Sequence, residues 1–158
     1  MNKPTVQKDV ILSIKSSQQN ESDSDSVELV TEGRFYKLDD SYYISYKESE
    51  LTGLEGRTTL KVDKEAGIVT MSRSGVNRAH MVFQHRQKHF THYDTGYGTM
   101  DMSITTRKLQ VDIDEEQARA ELLLKYTLDI NNRYVSTNTI QLQVKEATPF
   151  HEQSHPVC

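Results

Sequence analysis

The chain has 158 residues, of which 35% are hydrophobic, and a formal net charge of −4 at pH 7. This length fits one domain. The acidic balance argues against polyanionic partners, so we expect it to bind neither nucleic acid nor a membrane surface.

Along the first half of the chain, apolar residues recur at every second position in short segments. Such alternation indicates half-buried antiparallel strands. Turn-forming residues separate the segments at intervals of mostly about ten residues. Between the first two segments, residues 18–26 (QQNESDSDS) are polar and acidic, and they predict one long connecting loop. The alternating positions are Val10, Leu12 and Ile14, then Val27, Leu29, Thr31 and Phe35, then Tyr42, Ile44 and Tyr46, then Thr58, Leu60 and Val62.

The second half continues this pattern, with two irregular places. In the segment that begins at Met100, the apolar positions change from even to odd numbers, which predicts a β-bulge near Thr105–Lys108. The stretch Asp114–Tyr126 has a helical composition, yet the alternation from Leu122 to Ile130 is unbroken. We therefore predict a strand from about Ala118, preceded by an acidic loop or a single helical turn.

These segments add up to about ten antiparallel strands and almost no helix. An open sheet of that size would expose long edges, and closure into an up-and-down β-barrel removes them. We predict a single all-β barrel domain over residues 1–148 and a flexible C-terminal tail over residues 149–158. A two-sheet sandwich is the alternative.

Three blocks of the sequence have a characteristic order and spacing: TEGRFYKLDDSYYISYKESELTGLEGRTTLKV, YDTGYGTMDMSITTRKL and LLLKYTLDINNRYVSTNTIQLQV. They resemble the YwiB-like family of uncharacterised bacterial β-barrel proteins, and the likeness extends from about Val10 to Val144. The resemblance implies a calycin-type, lipocalin-like barrel in the cytoplasm. It implies no activity and assigns no functional residue.

The segment YYISYKESE places two acids on the face that its aromatic residues use. If Tyr46 points inward, Glu48 and Glu50 enter one end of the barrel, roughly 7 Å apart by strand rise. Buried carboxylates need cationic partners or water, and Arg73 shares the parity of the inward residue Met71. We therefore predict a ligand-binding site of Tyr46, Glu48, Glu50 and Arg73, which takes a small amphipathic or anionic molecule. Arg34 and Arg57 are expected to point outward.

Three other interpretations stay open. The strand could turn towards solvent after Tyr46, which would leave both acids hydrated at the barrel rim. The protein could instead be an interaction module or a homo-oligomer that uses surface tyrosines such as Tyr36 and Tyr43. A hydrolase-type enzyme is the third, but two carboxylates side by side on one strand do not face each other across a substrate, so no catalytic residue is predicted.

The histidines and the cysteine do not form a predicted metal site, and no cofactor is expected. His89 and His92 differ in parity and should lie on opposite faces of a strand. His151, His155 and Cys158 fall in the predicted tail. A single cysteine excludes an intrachain disulfide, and the short early apolar run excludes a signal peptide, so we expect a cytoplasmic protein.

Overall fold

The computed structural model describes residues 4–47, 56–75, 79–94 and 97–147. These residues form ten strands, and no described segment is a helix that could cross a membrane. In chain order the strands are β1 (Val6–Gln19), β2 (Ser24–Leu38), β3 (Ser41–Lys47), β4 (Gly56–Asp63), β5 (Ile68–Gly75), β6 (Ala79–Gln84), β7 (Lys88–Asp94), β8 (Thr99–Asp114), β9 (Arg119–Ile130) and β10 (Arg133–Glu146). The predicted tail over residues 149–158 lies outside the described residues.

All ten strands belong to one antiparallel sheet in the order β6-β5-β4-β3-β2-β1-β10-β9-β8-β7. The first strand lies between the second and the last, since Val10 is opposite both Gly33 and Glu146. Strands β6 and β7 stand at the two ends of this order but follow each other in the chain. The turn between them brings the two edges together and nearly closes the barrel. The predicted up-and-down barrel of about ten strands is confirmed.

We call the gap between the two edge strands, β6 and β7, the seam. Side-chain hydrogen bonds and a turn connect its two sides, and no strand ladder is described across it. The Thr91 hydroxyl donates to the His80 carbonyl at 2.9 Å. The amide of Gln84 donates to the Thr106 hydroxyl at 3.3 Å, and the amide of Gln87 donates to the Gln84 carbonyl at 2.9 Å. Side-chain hydroxyl groups, with Thr91 as a donor and Thr106 as an acceptor, therefore satisfy edge groups that a neighbouring strand would otherwise pair.

The inward side chains form one hydrophobic core, and they follow the predicted parity. The largest fully buried side chains come from strands all around the barrel: Phe35, Phe83, Leu12, Ile44, Ile104 and Leu124. Val27 departs from this pattern, because its side chain is 50% exposed where β2 extends past the core.

Both irregular places in the second half of the chain are resolved as predicted. Arg107 is the extra residue of a β-bulge, since β8 shifts register against β9 between Thr106 and Lys108. The acidic stretch before β9 is a turn that ends at Ala118, whose φ is +50°. The strand then begins at Arg119, because an inward row of leucines outweighs the helical propensity of the segment.

The predicted long loop over residues 18–26 is wrong. β1 continues to Gln19 and β2 begins at Ser24, so only four residues form the turn. The Asn20 side chain organises this turn, because its Oδ1 accepts hydrogen bonds from the amides of Ser22 at 3.0 Å and Asp23 at 2.7 Å. The polar composition indicated a turn, but cross-strand pairing extends the hairpin almost to its tip.

A close approach of three strands requires a glycine on the inner face of β2. A Cβ atom at Gly33 would lie 2.5 Å from the Ser45 carbonyl oxygen and 2.6 Å from the Leu12 Cδ1 atom. Ordinary carbon contacts need about 3.5–4.0 Å. The missing side chain therefore lets β1, β2 and β3 curl tightly.

Polar contacts fasten β2 and β3 to the turn before β9. The Tyr42 hydroxyl donates to the Glu115 Oε1 atom at 2.7 Å, and the Lys37 ammonium lies 3.1 Å from the same oxygen. The hydrogen bond from Tyr42, followed by that from Lys37, lowers the pKa of Glu115. These groups tie elements that are far apart in the chain.

The polar end of the barrel interior

Arg73 points to the inner face of the barrel, where the sequence placed it. It lies on β5 opposite Thr58 of β4, and its Nε is 3.5 Å from the Thr58 hydroxyl. The arginine is half-buried and Thr58 is fully buried. Each of these two residues has at least one further interaction. A cation is thus positioned on the inward side, as an anion-binding group would require.

Tyr126 approaches the same region from β9, a strand that is not a neighbour of β5. Its ring packs against the Phe83 ring with a centroid distance of 4.9 Å. Burial raises the pKa of the Tyr126 phenol to about 12, and the nearby Arg73 guanidinium opposes this shift. The phenol therefore stays protonated at neutral pH and can donate a hydrogen bond.

Other polar side chains extend this region along the inner surface. In the strand register Tyr126 is opposite Thr106 on β8 and Asn138 on β10. The Asn138 amide nitrogen donates to the Ser136 hydroxyl at 2.9 Å, and both Thr106 and Ser136 are fully buried. We call the set Arg73, Thr58, Tyr126, Thr106, Ser136 and Asn138 the interior polar cluster. Its hydroxyl and amide groups can recognise an anionic or polar ligand.

Of the other three predicted site residues, only Tyr46 belongs to the described part of the chain. Tyr46 is buried and lies opposite Thr58, next to the interior polar cluster. Glu48 and Glu50 lie outside the described residues. Arg57 points outward, as predicted, and donates to the Ser45 hydroxyl at 2.9 Å. Arg34 is also on the outside, 3.6 Å from the Asp9 carboxylate.

Three surface clefts formed by the described residues lie away from the interior polar cluster. The one with a volume of about 470 Å³ crosses β1, β10, β9 and β8, and it is lined by polar residues such as Lys15, Glu121 and Gln141. None of its lining residues belongs to the interior polar cluster.

The surface tyrosines and the histidines match their predicted positions without forming an evident site. Tyr36 and Tyr43 stack on each other with a centroid distance of 5.0 Å, and both are half-buried. His89 lies 3.3 Å from the Gln84 amide oxygen, whereas His92 lies 2.9 Å from Asp101 on the outer face. No group of three or more metal-ligating side chains occurs in the described parts of the chain.

Most residues of the interior polar cluster were not predicted from the sequence. Some of these residues have inward parity in the sequence: Thr58 shares the parity of Leu60 and Val62, and Ser136 and Asn138 share the parity of Leu142. Polar residues at such inward positions are candidates for a site inside the barrel. Their grouping around Tyr126 depends on a contact across the barrel, which periodicity does not reveal.

Comparison with known proteins places the chain among uncharacterised barrels. Residues 12–142 match the family model described as a domain of unknown function, DUF1934. The uncharacterised β-barrel protein YwiB of Bacillus subtilis is 26% identical over 113 residues, which cover 72% of this chain and 78% of the relative. The crystal structure of YwiB from the same organism superposes with a TM-score of 0.78 at 21% identity, over 92% of this chain and 96% of that one. The chain therefore belongs to the DUF1934 family.

Proposed function

We propose that the barrel binds a small anionic or amphipathic molecule at the interior polar cluster, with Arg73 as the group that recognises negative charge. One observation carries the proposal. A half-buried arginine projects inward beside the hydroxyl of Thr58, and its charge acts on the buried phenol of Tyr126. A planar guanidinium with several donors suits carboxylate, sulfonate or phosphate oxygens.

The surroundings of Arg73 favour an amphipathic ligand. Phe83 and Met71 are buried beside the polar groups, and Tyr46 lines the neighbouring strand. An apolar wall with a few convergent polar groups is the usual composition of a ligand site. Glu48 and Glu50 stay predicted members of this site. The proposal also keeps the calycin-type relationship and the cytoplasmic location as predictions.

The test uses 8-anilinonaphthalene-1-sulfonate, an anionic amphipathic probe whose fluorescence rises in apolar sites. We expect the wild-type protein to bind it saturably, and Arg73→Ala to weaken binding about tenfold or more through loss of a charge-assisted hydrogen bond. Arg57→Ala is the matched control, because it removes the same side chain from the outer face of an adjacent strand. Equal affinities for the wild type and Arg73→Ala, with both proteins folded by circular dichroism, would refute the proposal.

Native mass spectrometry of the freshly purified protein gives an independent measurement. A bound small molecule should appear as a mass increment above the 18.2 kDa chain in the wild type and in Arg57→Ala. The increment should be absent from Arg73→Ala. An increment of the same size and occupancy in all three proteins would place the molecule away from Arg73.

A further inference from the structure

Five cationic side chains lie close together on the outer face of β7, β8 and β9, between acidic residues nearer the two ends of β9, Glu121 and Asp129. Lys108 and Lys125 are directly opposite each other across the β8–β9 ladder, and Arg107 projects from the bulge beside them. Lys88 lies on β7, and the turn that contains Arg86 is held against β8 by a 2.9 Å hydrogen bond from the Arg86 amide to the Thr106 carbonyl. We call these five exposed residues the basic patch.

The basic patch is not neutralised within the described molecule. No described carboxylate lies within 4 Å of any of its five cationic groups, although four Lys or Arg residues elsewhere have such partners. Like charges directly opposite each other in a ladder destabilise a sheet. A protein with a net charge of −4 therefore carries a local positive surface that is suited to a negatively charged partner.

The tip of the β1–β2 hairpin, at the other side of this face, carries the opposite charge. Glu21 and Asp23 are exposed there, and neither has a described lysine or arginine within 4 Å. We call these two residues the acidic tip. Asp25 is also exposed, but it lies opposite Gln18 with the inward parity of Leu29 and is therefore not part of the outer face. Another acidic residue of the hairpin, Glu28, is already 3.8 Å from Lys15.

The strand register places the acidic tip and the basic patch on one line. Paired positions run across the sheet from β7 to the tip of the hairpin: Lys88, Thr105, Thr127, Thr137, Gln19 and Ser24. With strands about 4.8 Å apart, the tip lies roughly 14 Å from β9 and 24 Å from β7 along the sheet. The two charged regions are too far apart to pair within one molecule.

Thr137 and Gln19, at the centre of this line, are uncharged, whereas the Arg107 guanidinium lies on its basic side, where it donates to the Thr127 hydroxyl at 3.2 Å. Tyr134 covers the centre, with its hydroxyl 3.1 Å from both the Gln19 carbonyl oxygen and the Thr137 hydroxyl, and its side chain is partly exposed. A face that is positive on one side, neutral in the centre and negative on the other is complementary to itself after a two-fold rotation. At the axis, where identical residues meet, there is no like-charge repulsion.

We propose that this face is a dimer interface between two copies of the chain, in which the basic patch of each copy receives the acidic tip of the other. The proposal does not depend on the ligand site in the interior. It identifies charge complementarity, not the stacked tyrosines Tyr36 and Tyr43, as the basis of association.

The experiment compares molecular masses by sedimentation at about 100 μM protein. The wild type should have a mass of about 36 kDa, twice 18.2 kDa, at 20 mM NaCl. It should return to the monomer mass at 500 mM NaCl, because the Debye length falls from about 20 Å to about 4 Å. A wild type that is monomeric at low salt would overturn the proposal, whether or not it binds a fluorescent single-stranded oligonucleotide through the basic patch.

Charge reversal distinguishes this interface from any other. Lys108→Glu with Lys125→Glu makes the patch negative, and Glu21→Lys with Asp23→Lys makes the tip positive. Each double variant should be monomeric alone, and a one-to-one mixture should recover the doubled mass, since each altered surface then meets an opposite charge. The control Lys61→Glu with Lys64→Glu changes the net charge equally at a distance and should stay dimeric. Dimers in either reversed variant alone, or no recovery in the mixture, would refute the assignment.

Discussion

Substitution of Gly33 by alanine tests how tightly the first three strands approach each other. The added methyl group would lie about 1 Å too close to both the Ser45 carbonyl oxygen and the Leu12 Cδ1 atom. Leu12 is fully buried, and the Ser45 oxygen belongs to the backbone, so neither can move freely. Overpacking of this kind costs about 1–3 kcal/mol, and the reduced entropy of the unfolded chain returns about 0.4–1 kcal/mol.

The expected net loss for Gly33→Ala is therefore about 1–2 kcal/mol of unfolding free energy. For a chain of 158 residues this corresponds to a fall in Tm of about 2–8 °C. Thermal and urea unfolding followed by circular dichroism would measure it, with the midpoint concentration lowered and the m-value unchanged. In a Leu12→Ala background the same substitution should cost less, because one of its two close contacts is gone.

Gly67 provides a matched comparison, because its φ is +69° and nothing lies within 4 Å of an added Cβ. Alanine there is disfavoured by the backbone conformation, and asparagine, which tolerates this conformation, should recover part of the loss. At Gly33, which lacks a positive φ, asparagine should be worse than alanine because it is larger. If Gly33→Ala were as stable as the wild type, or if Gly33→Asn were no worse than Gly33→Ala, the steric explanation would be wrong.

Tyr126→Phe should remove a loss of stability at high pH. The pKa of the Tyr126 phenol is about 12 in the folded protein and 10.0 in the unfolded chain. The wild type therefore has the full contribution of this group to its unfolding free energy below pH 10, and it loses about 2–3 kcal/mol of it between pH 10 and pH 12. Urea unfolding between pH 9 and pH 12 would measure the slope, and equal slopes in both proteins would contradict the assignment. Glu115→Gln should reduce the unfolding free energy at neutral pH. Because the pKa of Glu115 is lowered in the folded protein, the difference in unfolding free energy between this variant and the wild type should shrink as the pH falls from about 5 through the folded pKa. A difference that stays constant from pH 7 to pH 3 would rule out this linkage. Phe83→Ala should cost about 3–5 kcal/mol because its side chain is fully buried, whereas Phe90→Ala, which truncates a ring that is 74% exposed, should change stability by at most about 0.5 kcal/mol. Comparable losses in the two variants, measured by urea unfolding, would show that burial does not set the cost.

Much of the fold was predictable because strand alternation is a local property of the sequence. The inward parity of Leu12, Ile44 and Leu60 follows from their neighbours alone, and the bulge at Arg107 followed from a change of parity within one segment. The extent of the β1–β2 hairpin was misjudged, since its Ser, Asp and Asn residues favour turns. Pairing with Ser24–Leu29 overrides that preference along the end of β1.

The candidate site was predictable only where a single strand determined it. The inward position of Arg73 could be predicted from its spacing to Met71. Its proximity to Tyr126 could not, because five strands separate β5 from β9 in the sheet order on one side, and three strands and the seam separate them on the other. The basic patch could not be predicted for a similar reason. Lys108 and Lys125 belong to different strands, and the net charge of the whole chain does not show a local excess of positive charge.

The order of strands also determines where the backbone could be cut and rejoined. The first and last strands are neighbours in the middle of the sheet, and the amide of Ala147 donates to the Asp9 carbonyl at 2.9 Å. The gap in the sheet instead falls at the exposed turn between β6 and β7. A circular permutant with new termini in that turn and a short linker between the old ones would have every ladder formed by strands consecutive in sequence. Its longest-range pairing, β1 with β10, would become a simple hairpin, so we expect faster refolding than in the natural chain order.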